Sequence, residues 1–303
     1  MSDCSPFKVK NPLAINPKSS PMYKIEGQLY GGEKIWLSDP KAVRAMVALM
    51  DMAAVLGGAA SHWGGPSAFA ELMAAIYAYA FHASDIKSLQ HHELFHIVND
   101  AGHCENGLYA LKANYGYADL SLESLKGFRS IRSPLTGHGE THLFPQGVYI
   151  SNGPLGSGLP QAQGLAMADA LAGLSRITVT AISDGASFEG EAKESYAAIP
   201  GLARKGKLAP FICVISDNNT KLSGRIDEQS FSMAETFASL SALGWKVLAL
   251  PNGNDLKACL ETFEQAVKLV NANPRQPIAI HAKTIKGFGV KKTEESASGG
   301  HGF

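Results

Sequence analysis

The sequence contains no run of about 18 apolar residues, the length a helix needs to cross a bilayer, so no membrane-spanning helix is expected. It has no charge of one sign to spare either. Lys+Arg and Asp+Glu both total 27, which leaves no basic face for nucleic acid and no acidic tail. Cysteine is scarce: Cys4, Cys104, Cys213 and Cys259 are scattered, a spacing without the pairs of a thiolate metal site, and a reducing cytoplasm is the expected setting. The segment from Met1 to Pro21 is polar and lacks the apolar centre of a signal peptide. Internal repeats, low-complexity tracts and a second domain linker are also missing.

What is present is an ordinary globular composition, 45% hydrophobic and 18% charged over 303 residues, enough to hide about 75% of the unfolded surface. Residues 1–37 are expected to form an N-terminal extension that wraps or trails, and 38–303 a single domain. Ser38-Asp39-Pro40 offers an N-cap with proline at the first helical position. Val43, Met46, Val47 and Met50 follow at helical spacing, and a second apolar helical run follows His62-Trp63-Gly64-Gly65-Pro66. From about residue 147 the pattern alternates strand and helix. Runs 177–182, 211–215, 245–250 and 277–282 are short and apolar on both faces, as buried parallel strands are. Cys213 lies in one of them and Cys259 on a helix face, so both read as buried thiols. The predicted fold class is α/β: a three-layer α/β/α domain with a mainly parallel sheet.

In such a sheet ligands bind at the carboxyl ends of the strands. Ser183-Asp184-Gly185 follows the first of these runs and Asp217-Asn218-Asn219-Thr220 the second. Asp184 and Asn218 therefore stand at neighbouring strand ends. Their side-chain oxygens, with the backbone carbonyl of Thr220, are hard ligands suited to Mg2+, which also takes phosphate oxygens and water. Gly185 lets phosphates approach without a Cβ in the way. Taken alone, the pair is equally well read as turn residues after strands.

Further segments add a resemblance. Asp184-Gly185 followed by Asn218-Asn219 resembles the thiamine diphosphate signature, with Ser183 where that family usually has glycine. Asp100-Ala101-Gly102-His103, Thr136-Gly137-His138-Gly139-Glu140, Ser151-Asn152-Gly153-Pro154-Leu155-Gly156 and the Lys283–Gly289 and Gly300-His301-Gly302 segments resemble, in order, motifs of transketolase. Gly139 replaces that family's proline. The match runs from about residue 40 to 303.

The resemblance implies a thiamine diphosphate-binding fold with that cofactor and Mg2+, or Ca2+ or Mn2+ in its place, and Asp184, Asn218 and Thr220 as metal ligands. It implies His103, Gly153, Pro154, Leu155, Asp184, Gly185, Glu189, Asn218, Leu222 and His301 on the cofactor. His62, His103, His138 and His301 would serve the sugar substrate, and Glu189 would reach toward a partner's catalytic carboxylate. The expected reaction is two-carbon ketol transfer from a ketose to an aldose. The family's catalytic glutamate belongs to a second domain, and the chain stops near where the first domain of the family ends. A separate C-terminal transketolase-like subunit is therefore expected, together with self-association into a heterotetramer.

The His62-Trp63-Gly64 run is closer to phosphoketolase, which stands as an alternative with a 2-oxo-acid dehydrogenase component. A non-catalytic paralogue is a third. His92-Glu93-Leu94-Phe95-His96 fits the zinc-binding H-E-x-x-H pattern, but a convincing third ligand is missing, and a polar, partly exposed segment is expected there.

Overall fold

The structure, a computed structural model, describes residues 12–302. Five parallel strands form one sheet: β3 (Phe95–Asn99), β4 (Ile177–Ser183), β5 (Phe211–Asp217), β6 (Lys246–Leu250) and β7 (Ile278–Lys283). Their spatial order is β3-β4-β5-β7-β6. An antiparallel hairpin, β1 (Lys24–Gln28) with β2 (Lys34–Ser38), stands apart from it.

Helices cover both faces. Those of ten residues or more among the described residues are α1 (Pro40–Leu56), α2 (Gly64–Ile86), α3 (Glu105–Asn114), α4 (Gly158–Ala172), α5 (Gly190–Arg204), α6 (Ala234–Leu243) and α7 (Leu256–Ala272). The two-residue period of the strands divides the core in two. Val179, Ala181, Ile212 and Val214 pack with α1, α2, α3 and α7, while Ile182, Phe211, Cys213 and Ile215 pack with α4, α5 and α6. The expected three layers are thus present.

The helix start expected at Ser38-Asp39-Pro40 is present. Asp39 Oδ1 accepts the Lys41 N–H at 2.9 Å and Pro40 opens α1. Asp255 Oδ1 caps α7 through Lys257 and Ala258. Cys104, Cys213 and Cys259 are free and buried; Cys4, with the rest of Met1–Asn11, lies outside the described residues.

Two expectations are corrected. Residues 24–38 are packed structure, not a trailing extension: Ile35 and Leu37 of β2 are 3% and 1% exposed and belong to the main core. The segment expected to be polar and partly exposed is so only through residues 92–94. A one-turn helix, His91–Leu94, gives way to β3, where Phe95, His96 and Val98 are buried. His96 escaped notice as a strand residue because its charge partner is remote. Its Nε2 meets Asp169 Oδ2 at 2.8 Å and its Nδ1 meets the Tyr149 hydroxyl at 2.6 Å. Both ring nitrogens are occupied and His92 lies on a different element, so the zinc reading fails.

Leu37→Ala removes a buried side chain from the hairpin and is expected to lower stability by about 2–5 kcal/mol. Urea unfolding checks this, and a loss of only a few tenths would show the hairpin to be a loosely held appendage.

Candidate cofactor and metal site

The carboxyl ends of four adjacent strands deliver the site. β3 leads into Asp100–His103, β4 into Asp184, β5 into Asp217–Asn219, and β7 into Thr284–Lys286. Asp184 is 1% exposed. Its Oδ2 accepts the backbone N–H groups of Asn218 at 2.8 Å and Asn219 at 2.6 Å, and its Oδ1 accepts that of Gly185 at 2.8 Å. Burial, and next the Asp217 carboxylate, push Asp184 up to about 6 against the pull of these three donors. Beside it, the Asn218 side-chain oxygen is buried and accepts no hydrogen bond. A buried polar atom left so is costly, and a cation is one way to satisfy it. Asn219 adopts φ 55°, a left-handed turn that asparagine tolerates. The Thr220 hydroxyl donates to the Asn218 carbonyl at 3.0 Å and accepts from Arg225 Nη1 at 2.7 Å.

A second group of buried polar residues shapes the loops around this corner. Asp100, with no exposed surface, accepts the Gly156 N–H at 2.9 Å and the Gly158 N–H at 2.7 Å. It thereby satisfies free amides at the start of α4. Burial raises Asp100 to about 6 although these amides lower it. A Cβ on Gly158 would stand 2.6 Å from the Asp100 Cα, so only glycine fits there. Asn152 ties two loops together. Its Oδ1 accepts the Gly139 N–H at 2.7 Å, its own N–H donates to the Gly139 carbonyl at 3.0 Å, and its Nδ2 donates to Glu105 at 3.0 Å. The neighbouring Gly153 has φ +140°, strained for any residue with a Cβ.

The histidines converge. Ring centroids of His62 and His103 are 5.3 Å apart, His62 and His301 5.1 Å, and His103 and His301 5.3 Å. A Cβ on Gly153 would lie 3.5 Å from the His138 ring, which joins that loop to the group. Burial is the main reason that three of these rings stay neutral. It pushes His62 down to about 4 with Arg129 adding to it, and His103 to about 3 with His301 adding. His301 falls to about 4, helped by Lys286. Neutral imidazoles carry one donor and one acceptor each, which suits sugar hydroxyls. Among the described residues no group of three or more His, Cys, Asp or Glu is placed to hold a metal. The Asp184–Asn218 corner is of another kind, offering one carboxylate, one amide oxygen and backbone carbonyls.

Other expected residues are peripheral. Glu189 is exposed at the start of α5 and its Cβ abuts Gly156. Pro154 is exposed, Leu155 is 38% exposed and Leu222 is 70% exposed, surfaces that a ligand or partner could cover. Sequence reasoning did not single out Asp100, Asn152, Asp51 or Lys286. Asp100, Asn152 and Lys286 lie inside the motifs already quoted, which was the signal available. Asp51 in α1 accepts from Ser61 and from Asn106 Nδ2 at 3.1 Å, and Asn106 also holds the His62 carbonyl at 2.8 Å. No pattern near Asp51 announces this role.

A parallel sheet whose strand tips join a carboxylate–amide corner to a ring of uncharged imidazoles defines an α/β domain built to hold a polar, anionic cofactor. A family model described as "Transketolase, thiamine diphosphate binding domain" matches residues 38–303, and the chain belongs to that family. The transketolase of Streptococcus pyogenes is 35% identical over 208 residues, covering 65% of this chain and 27% of that protein. The Geobacillus stearothermophilus transketolase is 33% identical over 216 residues, 68% of this chain and 30% of the relative. Among solved structures, transketolase of Pichia stipitis in complex with sedoheptulose 7-phosphate superposes with a TM-score of 0.70 at 26% identity, covering 87% of this chain and 38% of the other. Campylobacter jejuni transketolase gives 0.69 at 26% identity, covering 87% and 40%. The chain thus spans less than half the length of the relatives it matches.

The histidine group gives a measurable pH effect. The folded chain refuses a proton at His103 until about pH 3, whereas the unfolded chain accepts one near 6.5. Stability from this group is therefore lost as pH falls through that window. Relative to wild type, His103→Gln should gain stability steadily as pH is lowered from 7 toward 4, measured by denaturant midpoints. A constant difference would show that His103 is freely protonated in the fold.

Proposed function

We propose that this chain binds thiamine diphosphate and Mg2+, or Ca2+ or Mn2+ in its place, as the diphosphate-binding half of a transketolase-like enzyme that transfers a two-carbon ketol unit from a ketose to an aldose. The observation that carries this reading is the Asp184–Asn218 corner, with a buried carboxylate next to a buried amide oxygen that accepts no hydrogen bond. These two oxygens and the Thr220 carbonyl would hold the metal. Gly153, Pro154, Leu155, Gly185 and Leu222 would lie along the cofactor, with His103 and His301 at its diphosphate and thiazolium side. When bound, the cofactor would supply the nucleophilic carbon and the electron sink that ketol transfer needs.

The chain's own residues do the rest. Neutral His62, His103 and His301 donate hydrogen bonds to sugar oxygens as charge moves. His138 serves the same sugar from the Gly153 side. An open recess of ≈ 480 Å³, lined by Arg129, Thr136, His138, Glu140 and His142 among others, leads outward from it. Glu189, exposed beside Gly156, faces a partner and hydrogen-bonds toward its catalytic carboxylate.

The relatives are more than twice as long as the matched segment, which supports a further domain or a partner polypeptide bringing that carboxylate. The working assembly is then a heterotetramer of two such pairs in a reducing cytoplasm, with 38–303 as one folding unit that β1 and β2 extend. The relatives' names and the sugar phosphate bound to the Pichia stipitis protein favour ketol transfer over phosphoketolase or 2-oxo-acid decarboxylation.

Calorimetric titration tests the cofactor reading: thiamine diphosphate should bind only with a divalent cation, and Asp184→Ala or Asn218→Ala should weaken binding more than about tenfold. Cation-independent binding, or none, would sink it. Purification from the native host should bring a partner, and the pair should transfer ketol units that the chain alone does not. A metal needs the ionised carboxylate, and Asp184 stands at about 6 in the metal-free chain. Magnesium-supported binding should therefore weaken as pH drops below about 6, while a flat profile between pH 5 and 7.5 would contradict the assigned ligand.

A further inference from the structure

Lys286, in the loop after β7, is 5% exposed. Buried lysines ordinarily face a carboxylate, yet among the described residues Lys286 forms no ion pair. Its Nζ donates to the Lys221 carbonyl at 3.0 Å and lies 2.9 Å from His301 Nδ1. An ammonium group has three donors and no acceptor, so in that contact Nδ1 is the acceptor and bears no hydrogen. A neutral imidazole with a bare Nδ1 carries its proton on Nε2.

The backbone holds this pair together although fifteen residues separate its members. The Gly64 N–H donates to the Gly300 carbonyl at 2.9 Å, and the Gly287 N–H donates to the Gly64 carbonyl at 3.1 Å. A Cβ on Gly299 would stand 2.7 Å from the Lys286 Cβ, so the two segments touch at a glycine. The charged and titratable groups around His301 are Lys286 on its own loop, His62 before α2 and His103 after β3.

We infer that Lys286 is a positioning residue that fixes His301 as the Nε2–H tautomer, leaving one hydrogen-bond donor on the side of the ring away from the lysine. Which ring nitrogen a second group engages decides what the other can do. Here the free nitrogen is the one that can reach a ligand within the histidine group. The use of that donor on a sugar oxygen rests on the transketolase-like reading; the tautomer itself does not.

Nitrogen-15 NMR of the histidine-labelled chain tests the assignment, with His301→Gln identifying the resonances. The expected spectrum shows His301 unprotonated and hydrogen-bonded at Nδ1 and protonated at Nε2 near pH 7. Lys286→Met keeps the side-chain length but removes the donor. It should move the Nδ1 resonance, admit the second tautomer and raise the pH at which His301 titrates. Lys286→Arg, which keeps a cationic donor, should restore the single tautomer. In the assembled enzyme, Lys286→Met should lower kcat at least about tenfold with KM within about threefold, and Lys286→Arg should recover part of that loss. A wild-type proton on Nδ1, or nitrogen shifts indifferent to Lys286→Met, would overturn the inference. Absence of ketol transfer by the assembled wild type would instead overturn the proposed reaction, with the nitrogen shifts still deciding the tautomer.

Discussion

The Asp184 carboxylate is the pin on which the site turns. It gathers three backbone amides, from Gly185, Asn218 and Asn219, and so fixes the tip of β4 against the tip of β5. Charge-assisted bonds of this kind are stronger than neutral ones, and burial strengthens them further by keeping water away. The same burial, with Asp217 nearby, makes the ionised form expensive. The site is thus held together by a group whose charge the protein itself leaves partly uncompensated. Next to it the Asn218 oxygen accepts nothing. Both unmet demands are for a positive partner, and the divalent ion proposed above would answer both.

Around that pin the protein uses glycine for space and buried polar residues for direction. Asp100 and Asn152 hold the 151–158 loop from two sides, through Gly156 and Gly158 on one and Gly139 on the other. Their bonds go almost entirely to backbone groups, so each fixes a loop rather than a single side chain. The imidazoles arrive from three separate loops, at His62, His103 and His301. Mutual crowding and burial keep them uncharged. A cluster of this sort offers hydrogen-bond donors and acceptors to a ligand while adding no charge of its own.

Much of this was legible in the residues. Four of the five parallel strands were found because apolar runs bounded by turn residues have few other uses, and Asp39 and Pro40 announced α1. The fifth, β3, was missed because His96 and Asn99 break its apolar run. Their polarity is answered at a distance, by Asp169 and Tyr149 for one and Glu105 for the other, and no local window contains those partners. The hairpin was missed for a related reason. Its strands are five residues each with mixed exposure, and only packing against α2 and α7 makes Ile35 and Leu37 core residues. At the site, the residues proposed to meet a ligand carry motif signals, whereas Asp51 acts through Ser61 and Asn106. Residues that act at one remove have no spacing rule to reveal them.

The contact between the two ends of the folded domain has a consequence for how the protein is made. The first turn of α2 is bonded to Gly300, and Trp63 Nε1 donates to Thr293 at 3.2 Å, so residues near 64 are completed by residues near 300. The start of α2 therefore lacks these partners until the chain has grown past residue 300. Such long-range closure comes late because the intervening loop must be ordered first. A chain cut short of residue 293 would keep its sheet but lose the contacts that hold the start of α2.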